Sequence, residues 1–339
     1  MSSIPRIIIG GTIAIDHVKT PAAEAQNLLG GSAAYAALAA SFFSRPVDLI
    51  GIIGHDFPKN HLEMLENHGV TLTGVERSES ESFTWSGEYH ANMNERTTHR
   101  VGLNVLENWS VKVPAASATA EIVVLANMSP DNQLEMLAQC AVSPDLKSRF
   151  VIADTMDLWI EIAAARLHQV LPQLDLFVLN EGEARALAGT TNLVKAGQLL
   201  LEKGPRHVII KLGEFGAMLF SKQQVTGSTE PGIEETSTSS SSPSTINSQP
   251  STLFRCSAFP LETVADPTGA GDTFLGGMAG YLAAQGHPPY DAPTLRRAIV
   301  HGSILASFTC EDFSTRRMEA LTAEELTARI QEFTALTAW

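Results

Sequence analysis

Short apolar runs bounded by Gly, Asp or Asn alternate along the chain with longer stretches whose apolar residues recur at helical spacing. Successive side chains of a strand point to opposite faces, so an unbroken apolar run suits a strand buried on both sides. The pattern predicts such strands at Arg6–Gly10, Val47–Ile53, Glu121–Ala126, Phe150–Ala153, Asp175–Leu179 and His207–Leu212. It predicts helices at Ser32–Phe43, Pro58–His68, Asp131–Cys140, Glu181–Ala188, Asn192–Lys203, Ala270–Gln285, Ala292–Phe308 and Thr322–Phe333. Alternation of this kind is the mark of an α/β fold with a mostly parallel sheet covered on both faces.

Two segments break the rhythm, at about 12–29 and about 83–103. Their β-branched and aromatic content, with partial alternation, predicts antiparallel strands outside the main sheet. A small flap beside a large body is expected, and flaps commonly cover active sites. A sheet so small needs cover for its apolar face, so a homodimer through this flap is also expected. A third stretch, about 226–252, is dominated by Ser, Thr, Pro and Gly and has too little apolar surface to offset its ordering entropy. It reads as a disordered insertion in a hairpin between Ala217–Phe220 and Leu253–Cys256, within a single domain spanning residues 1–339. A modification or partner-binding loop is the functional alternative.

Composition narrows the function. With 44% hydrophobic and 18% charged residues, the 339-residue chain has the profile of a globular enzyme. Lys and Arg number 23 against 37 Asp and Glu, a net charge of −14, and no basic stripe interrupts the acidic average. Nucleic acid is therefore excluded as an expected partner. Cys140, Cys256 and Cys310 are scattered and odd in number, which argues against a disulfide framework or structural zinc. The N-terminus carries none of the marks of a signal peptide, and no apolar run is long enough to span a bilayer. A cytoplasmic location without membrane contact is expected.

The most informative residues are Asp266-Pro-Thr-Gly-Ala-Gly-Asp-Thr-Phe, followed by Met278, Tyr281 and Leu282 at helical spacing. A tight glycine turn here delivers its amides to a helix N-terminus, where N–H groups lack intrahelical partners and the dipole is positive. Such a turn holds a phosphoryl group without basic side chains. Asp272 stands at its lip, where the helix end should keep it ionised and able to take a proton from an incoming hydroxyl. Alternatively, Asp272 merely caps the helix.

This run resembles the C-terminal signature of the ribokinase-like (PfkB) family of sugar and nucleoside kinases, and the resemblance extends over nearly the whole chain. It implies a three-layer sandwich with a small β lid. It also implies ATP-dependent phosphorylation with Asp272 as general base and the amides of Gly269, Ala270 and Gly271 as anion hole. Gly30-Gly31-Ser32-Ala33-Ala34-Tyr35 resembles the family's first signature, although the family often has Asn in place of Tyr35. The resemblance assigns Asp16, Gly30, Gly31, Ser32, Tyr35 and Asn127 to the acceptor. Asn180 and Glu183 resemble the Asn-x-x-Glu element that orients Mg²⁺ and its waters; they equally suit a helix capping box. Lys211, Gly213 and Gly216 resemble the loop that contacts ATP, and Gly302, Ser303 and Ala306 an adenine wall, though small residues also suit helix packing. By the same likeness Asp266 and Thr268, with carbonyls near Glu311 and Ser314, would hold K⁺; otherwise Asp266 buttresses the turn.

Other kinase and dinucleotide folds are disfavoured, because neither Gly-x-x-x-x-Gly-Lys-Ser/Thr nor a Gly-x-Gly-x-x-Gly after the first strand occurs. A catalytically silent sugar or nucleotide sensor is the contrasting class. A neutral sugar is the expected acceptor because Asp16 suits polyols. A nucleoside is the alternative, since Tyr35, Phe83, Trp85 and Tyr89 offer stacking surface. A phosphosugar would need lid cations, for which Lys19, Arg96 and Arg100 are candidates.

Overall fold

The computed structural model describes residues 4–140, 148–222 and 251–338. The chain begins β1 (Ile7–Gly10), β2 (Ala14–Lys19), β3 (Glu24–Gly30), α1 (Ser32–Ala40), β4 (Val47–Ile53), α2 (Lys59–Asn67), β5 (Val70–Arg77), β6 (Phe83–Tyr89) and β7 (Arg96–Gly102). It continues with β8 (Ile122–Leu125), α3 (Pro130–Gln139), β9 (Phe150–Ala153), α4 (Asp157–Ile162), α5 (Ala164–Val170), β10 (Leu176–Asn180), α6 (Glu181–Ala188) and α7 (Leu193–Glu202). The last third holds β11 (His207–Lys211), β12 (Ala217–Lys222), β13 (Ser251–Cys256), α8 (Ala270–Ala284), α9 (Ala292–Thr309), α10 (Arg316–Glu319) and α11 (Ala323–Thr337).

Nine strands form one sheet in the order β13-β12-β11-β10-β9-β8-β1-β4-β5. Pairing is parallel from β5 to β11 and antiparallel at the β11-β12-β13 edge. The unbroken apolar runs do what their period demands. Ile7 and Ile9 enter one core cluster with α1, α8 and α9, whereas Ile8 enters the opposite cluster with α3, α5 and α7. Both faces are thereby covered, giving the three-layer sandwich. The segments that broke the rhythm form a second, four-stranded sheet in the order β3-β2-β6-β7, with β2 and β6 parallel and the outer pairs antiparallel. The insertion expected at about 226–252 lies, up to residue 250, outside the described residues; from Ser251 the chain is the edge strand β13.

Four elements escaped the periodicity: β5, α4 and the short helices α5 and α10. In β5, Thr71, Thr73 and Gly74 interrupt the apolar run, and its outward positions are partly exposed. In α4 no residue is buried, so it carries no apolar stripe to read. The predicted helix at Ser32–Phe43 ends at Ala40, beyond which the chain turns through Ser44 into Pro46.

The helices behind the sheet approach closely. In α8, a Cβ on Gly276 would strike the Ala36 carbonyl of α1, and one on Gly280 the Ala40 carbonyl. Glycine is required at both positions because backbone meets backbone there. This contact fixes where α8 begins, and so where its N-terminus faces the C-terminal ends of β1, β8, β9, β10 and β11, the usual ligand face of a parallel sheet. Gly276→Ala should destabilise the fold by about 1–3 kcal/mol through overpacking, measured by urea unfolding; an unchanged midpoint would mean that the two helices are free to separate.

Candidate active site

α8 starts at Gly269, whose φ of 76° is left-handed and whose missing Cβ makes room for the Tyr35 ring. Asp266 holds this turn: its buried carboxylate accepts the Thr268 amide at 2.9 Å and the Ser314 amide at 3.2 Å. Of the expected anion-hole amides, that of Ala270 turns back to the Pro267 carbonyl at 3.2 Å. Among the described residues, the Gly269, Gly271 and Asp272 amides make no backbone bond, so two of the three expected donors are open and the Asp272 amide joins them.

Lys211, at the end of β11, completes the mouth of α8. Its Nζ lies 2.8 Å from where a Cβ on Gly271 would stand, so glycine there admits the ammonium. Beside it, burial raises the Asp272 carboxyl above its ordinary pKa, while Lys211 and Arg96 pull it down. Sequence reasoning expected the helix end to keep Asp272 ionised; burial opposes that, and neighbouring cations must restore it.

Asn180 and Glu183 form a complete capping box on α6, with the Asn180 amide donating to Glu183 at 2.7 Å and the Glu183 amide to Asn180 Oδ1 at 2.9 Å. Burial lifts the Glu183 carboxyl to about 7, against the pull of Lys211. Sequence reasoning missed Asp154, the residue after β9. It is buried among these groups, and burial followed by Asp272 raises its pKa well above normal while Lys211 opposes. The available signal was a carboxylate ending a buried strand, which also describes many ordinary turns. Among the described residues no cluster of three or more His, Cys, Asp or Glu side chains is arranged to hold a metal by itself.

On the lid side, Asp16 of β2 sits against Gly30, where any Cβ would strike its carboxylate. Gly31 has a φ of 93° and packs on the Thr12 carbonyl. The paired glycines thus serve the local packing of Asp16 and the turn into α1. Ser32 is committed to Thr12 at 3.1 Å and to the Asn127 carbonyl at 3.0 Å. The Asn127 carboxamide accepts from Trp159 Nε1 at 2.8 Å and donates to the Met156 sulfur at 3.2 Å. Ser32 and Asn127 therefore tie the start of α1 to the segments after β8 and β9. Gly213 and Gly216 shape the loop after β11 with φ of 56° and 93°. Gly302 meets the Phe274 carbonyl at 2.5 Å from a notional Cβ, so its smallness serves the packing of α9 on α8.

Among the described residues, five buried side-chain atoms have no hydrogen-bond partner: Asp16 Oδ1, the Tyr35 hydroxyl, Asp154 Oδ1, Thr155 Oγ1 and Thr268 Oγ1. Buried polar groups are normally paired. These five come from distant parts of the chain, yet all belong to segments around the mouth of α8 and the strand ends. Burial holds the Tyr35 hydroxyl well above its ordinary pKa, so it stays protonated and can donate. No helix among the described residues is long and apolar enough to cross a membrane.

The sequence profile of the pfkB family carbohydrate kinases matches residues 15–321. A cytidine kinase of Thermococcus kodakarensis is 24% identical over 288 residues, covering 83% of this chain and 90% of its own. Among solved structures, the Methanocaldococcus jannaschii nucleoside kinase superposes with a TM-score of 0.69 at 16% identity, over 98% of this chain and 100% of its own. An E. coli protein designated a ribokinase II, solved with ATP and Mg²⁺, gives 0.71 at 18% identity over 97% of this chain and 99% of its own. With 307 consecutive residues inside the family profile and the ribokinase fold around the site, the chain belongs to the pfkB family and is a carbohydrate or nucleoside kinase, a phosphotransferase with an alcohol acceptor.

Proposed function

We propose that this chain transfers the γ-phosphoryl group of ATP to a hydroxyl of a small neutral sugar, with Asp272 as general base. The observation that carries this is the half-buried carboxylate of Asp272 beside the open α8 amides and Lys211, with unpartnered polar atoms in the surrounding segments. In the transfer, Asp272 takes the acceptor's proton, the acceptor oxygen bonds to the γ-phosphorus, and the bond from that phosphorus to the bridging oxygen breaks to release ADP. The transition state is loose, so the chain's main work is positioning and charge neutralisation. The Gly271 and Asp272 amides and Lys211 face the migrating group, while Asp16 and the Tyr35 hydroxyl face the acceptor.

Hard oxygen donors suit Mg²⁺, and Asp154, Asn180 and Glu183 would hold it with its waters, the phosphates of ATP supplying the remaining ligands. When bound, that ion neutralises phosphate charge. Asp266 and Thr268 would hold K⁺, although both Asp266 oxygens already accept amides. A homodimer through the lid belongs to the same reading and is read by light scattering. A nucleoside acceptor is the second reading, favoured by the similarity to a cytidine kinase and by Trp85 and Tyr89 on the lid.

Asp272→Asn should fold and bind ATP while losing roughly 10²–10⁴-fold in kcat; near-native turnover in an ADP-release assay over sugars and nucleosides would remove Asp272 from its role. In the same assay at fixed Mg²⁺, added K⁺ should raise the rate, and a flat response would remove the Asp266 site. Burial lifts Asp16 to about 8 from an ordinary 3.8, so the folded chain keeps a proton that the unfolded chain has lost. Its contribution to stability is thus present at low pH and is lost as pH rises through that interval. The melting temperature of Asp16→Asn should gain on the native protein from about pH 5 to about pH 8; a constant difference would show that Asp16 is solvated.

A further inference from the structure

The lid is tied to the body by a short chain of hydrogen bonds that runs beside Asp16. Between Asp16 and Val18 the β2–β3 pairing slips: Asp16 faces Leu28 and Val18 faces Ala25, so Gln26 and Asn27 stand opposite His17. A bulge of this kind re-aims the side chains next to it. Asn27 makes the kink with a left-handed φ of 54°, a conformation that Asn tolerates better than most residues. Two histidines hold it there. The Asn27 amide donates to His17 Nδ1 at 3.3 Å, and the Asn27 carbonyl accepts from His61 Nε2 at 3.1 Å. His61 belongs to α2 and stands edge-on to Phe57, a member of the body core, with ring centroids 6.1 Å apart.

The bond to His17 depends on the protonation of its ring. A backbone N–H can only donate, so Nδ1 presents its lone pair and the neutral ring carries its proton on Nε2. A second proton, taken from solvent, lands on Nδ1 and sets two N–H groups against each other. The bond is then lost. The charged ring also has a place to turn. His17 lines a cavity of about 260 Å³ with Asp56 from the loop after β4, Glu81 from the loop before β6 and Arg100 of β7, so two carboxylates there meet one guanidinium. Asp56 is itself fixed by the Ser82 hydroxyl at 2.7 Å. The other charged and titratable groups around this corner are engaged elsewhere: Lys19, opposite Glu24 of β3, pairs with Glu88 at 2.8 Å, Glu88 also meets His99 at 3.3 Å, and His55 Nδ1 bonds the Ser80 carbonyl at 3.1 Å.

Resting on the kinase reading above, we propose that His17 is a positioning residue for the acceptor: neutral, it pins the bulge that seats Asp16 against Gly30, and on protonation it releases that bulge. It acts through Asp16, the residue before it, and moves no proton in the reaction. Acidification therefore weakens capture of the acceptor and leaves the transfer step alone. Asp16 does not confuse the comparison, because burial lifts it to about 8 and it keeps its proton throughout the acid range.

The test compares the native protein with His17→Asn, His17→Phe and Asp272→Asn, using ATP, Mg²⁺ and the acceptor selected by the panel, at about pH 7.5 and about pH 5.5, a span in which histidines commonly titrate. Asn offers Oδ1 in the place of Nδ1 and does not titrate; Phe offers no acceptor at either pH. From the higher pH to the lower, the acceptor KM of the native protein should rise about 2–10-fold more than that of His17→Asn, the worth of one hydrogen bond, with the ratio of their kcat values constant. His17→Phe should show the raised KM already at the higher pH. Independently of turnover, the Asn27 amide, corrected for its intrinsic rate, should exchange faster at the lower pH in the native protein and equally at both in His17→Asn. Matching pH profiles and matching exchange in the native protein and His17→Asn would overturn the role of His17, and so would a difference confined to kcat. Normal turnover in Asp272→Asn would instead bring down the reading of the site on which the proposal rests, while the exchange comparison still decides whether His17 holds the bulge.

Discussion

The close approach of α1 and α8 governs the architecture. Gly276 and Gly280 let the α8 backbone settle on the carbonyls of Ala36 and Ala40, and the Tyr35 ring then fills the space beside the left-handed Gly269. The start of α8 is placed by packing far behind the cleft, so its amides need no mobile loop to aim them. Asp266 adds the second restraint by tying the turn to Ser314, whose hydroxyl donates to the Leu29 carbonyl at 2.6 Å. The turn, the end of β3 and the segment after α9 are thereby joined.

That framework explains an otherwise costly feature, the burial of several carboxylates near one another. Burial raises Asp16, Asp154, Glu183 and Asp272 alike, and Lys211 is placed where it relieves the last three. Such a cluster is tolerable in a folded protein when partners of opposite charge or hydrogen-bond donors arrive with the ligands. The unpartnered atoms of Asp16, Tyr35, Asp154, Thr155 and Thr268 are consistent with a site built to be finished by what binds it.

Much of this was legible in the chain. The triple isoleucine of β1 announces a strand buried on both faces, and the glycine turn before Asp272 is readable because each of its residues answers a local demand. The strand β5 was hidden by its threonines, and α4 by its lack of a buried face. Asp154 was missed because a lone Asp after a strand has no distinguishing neighbours; its setting is created by β10, β11 and α8, all distant in sequence. The polar atoms of Asn127 and Ser32 are engaged by Trp159, Met156 and Thr12, which only three-dimensional proximity decides.

The mutual bonds of Asn180 and Glu183 carry an evolutionary consequence. The two side chains proposed above for the nucleotide also begin α6, so exchanging them for another pair would remove the capping box that holds its first turn. Drift at one position cannot be compensated by the other alone. A lineage that repurposed this cleft would find it easier to vary the lid, whose strands bear less of the fold, than this corner of the sandwich.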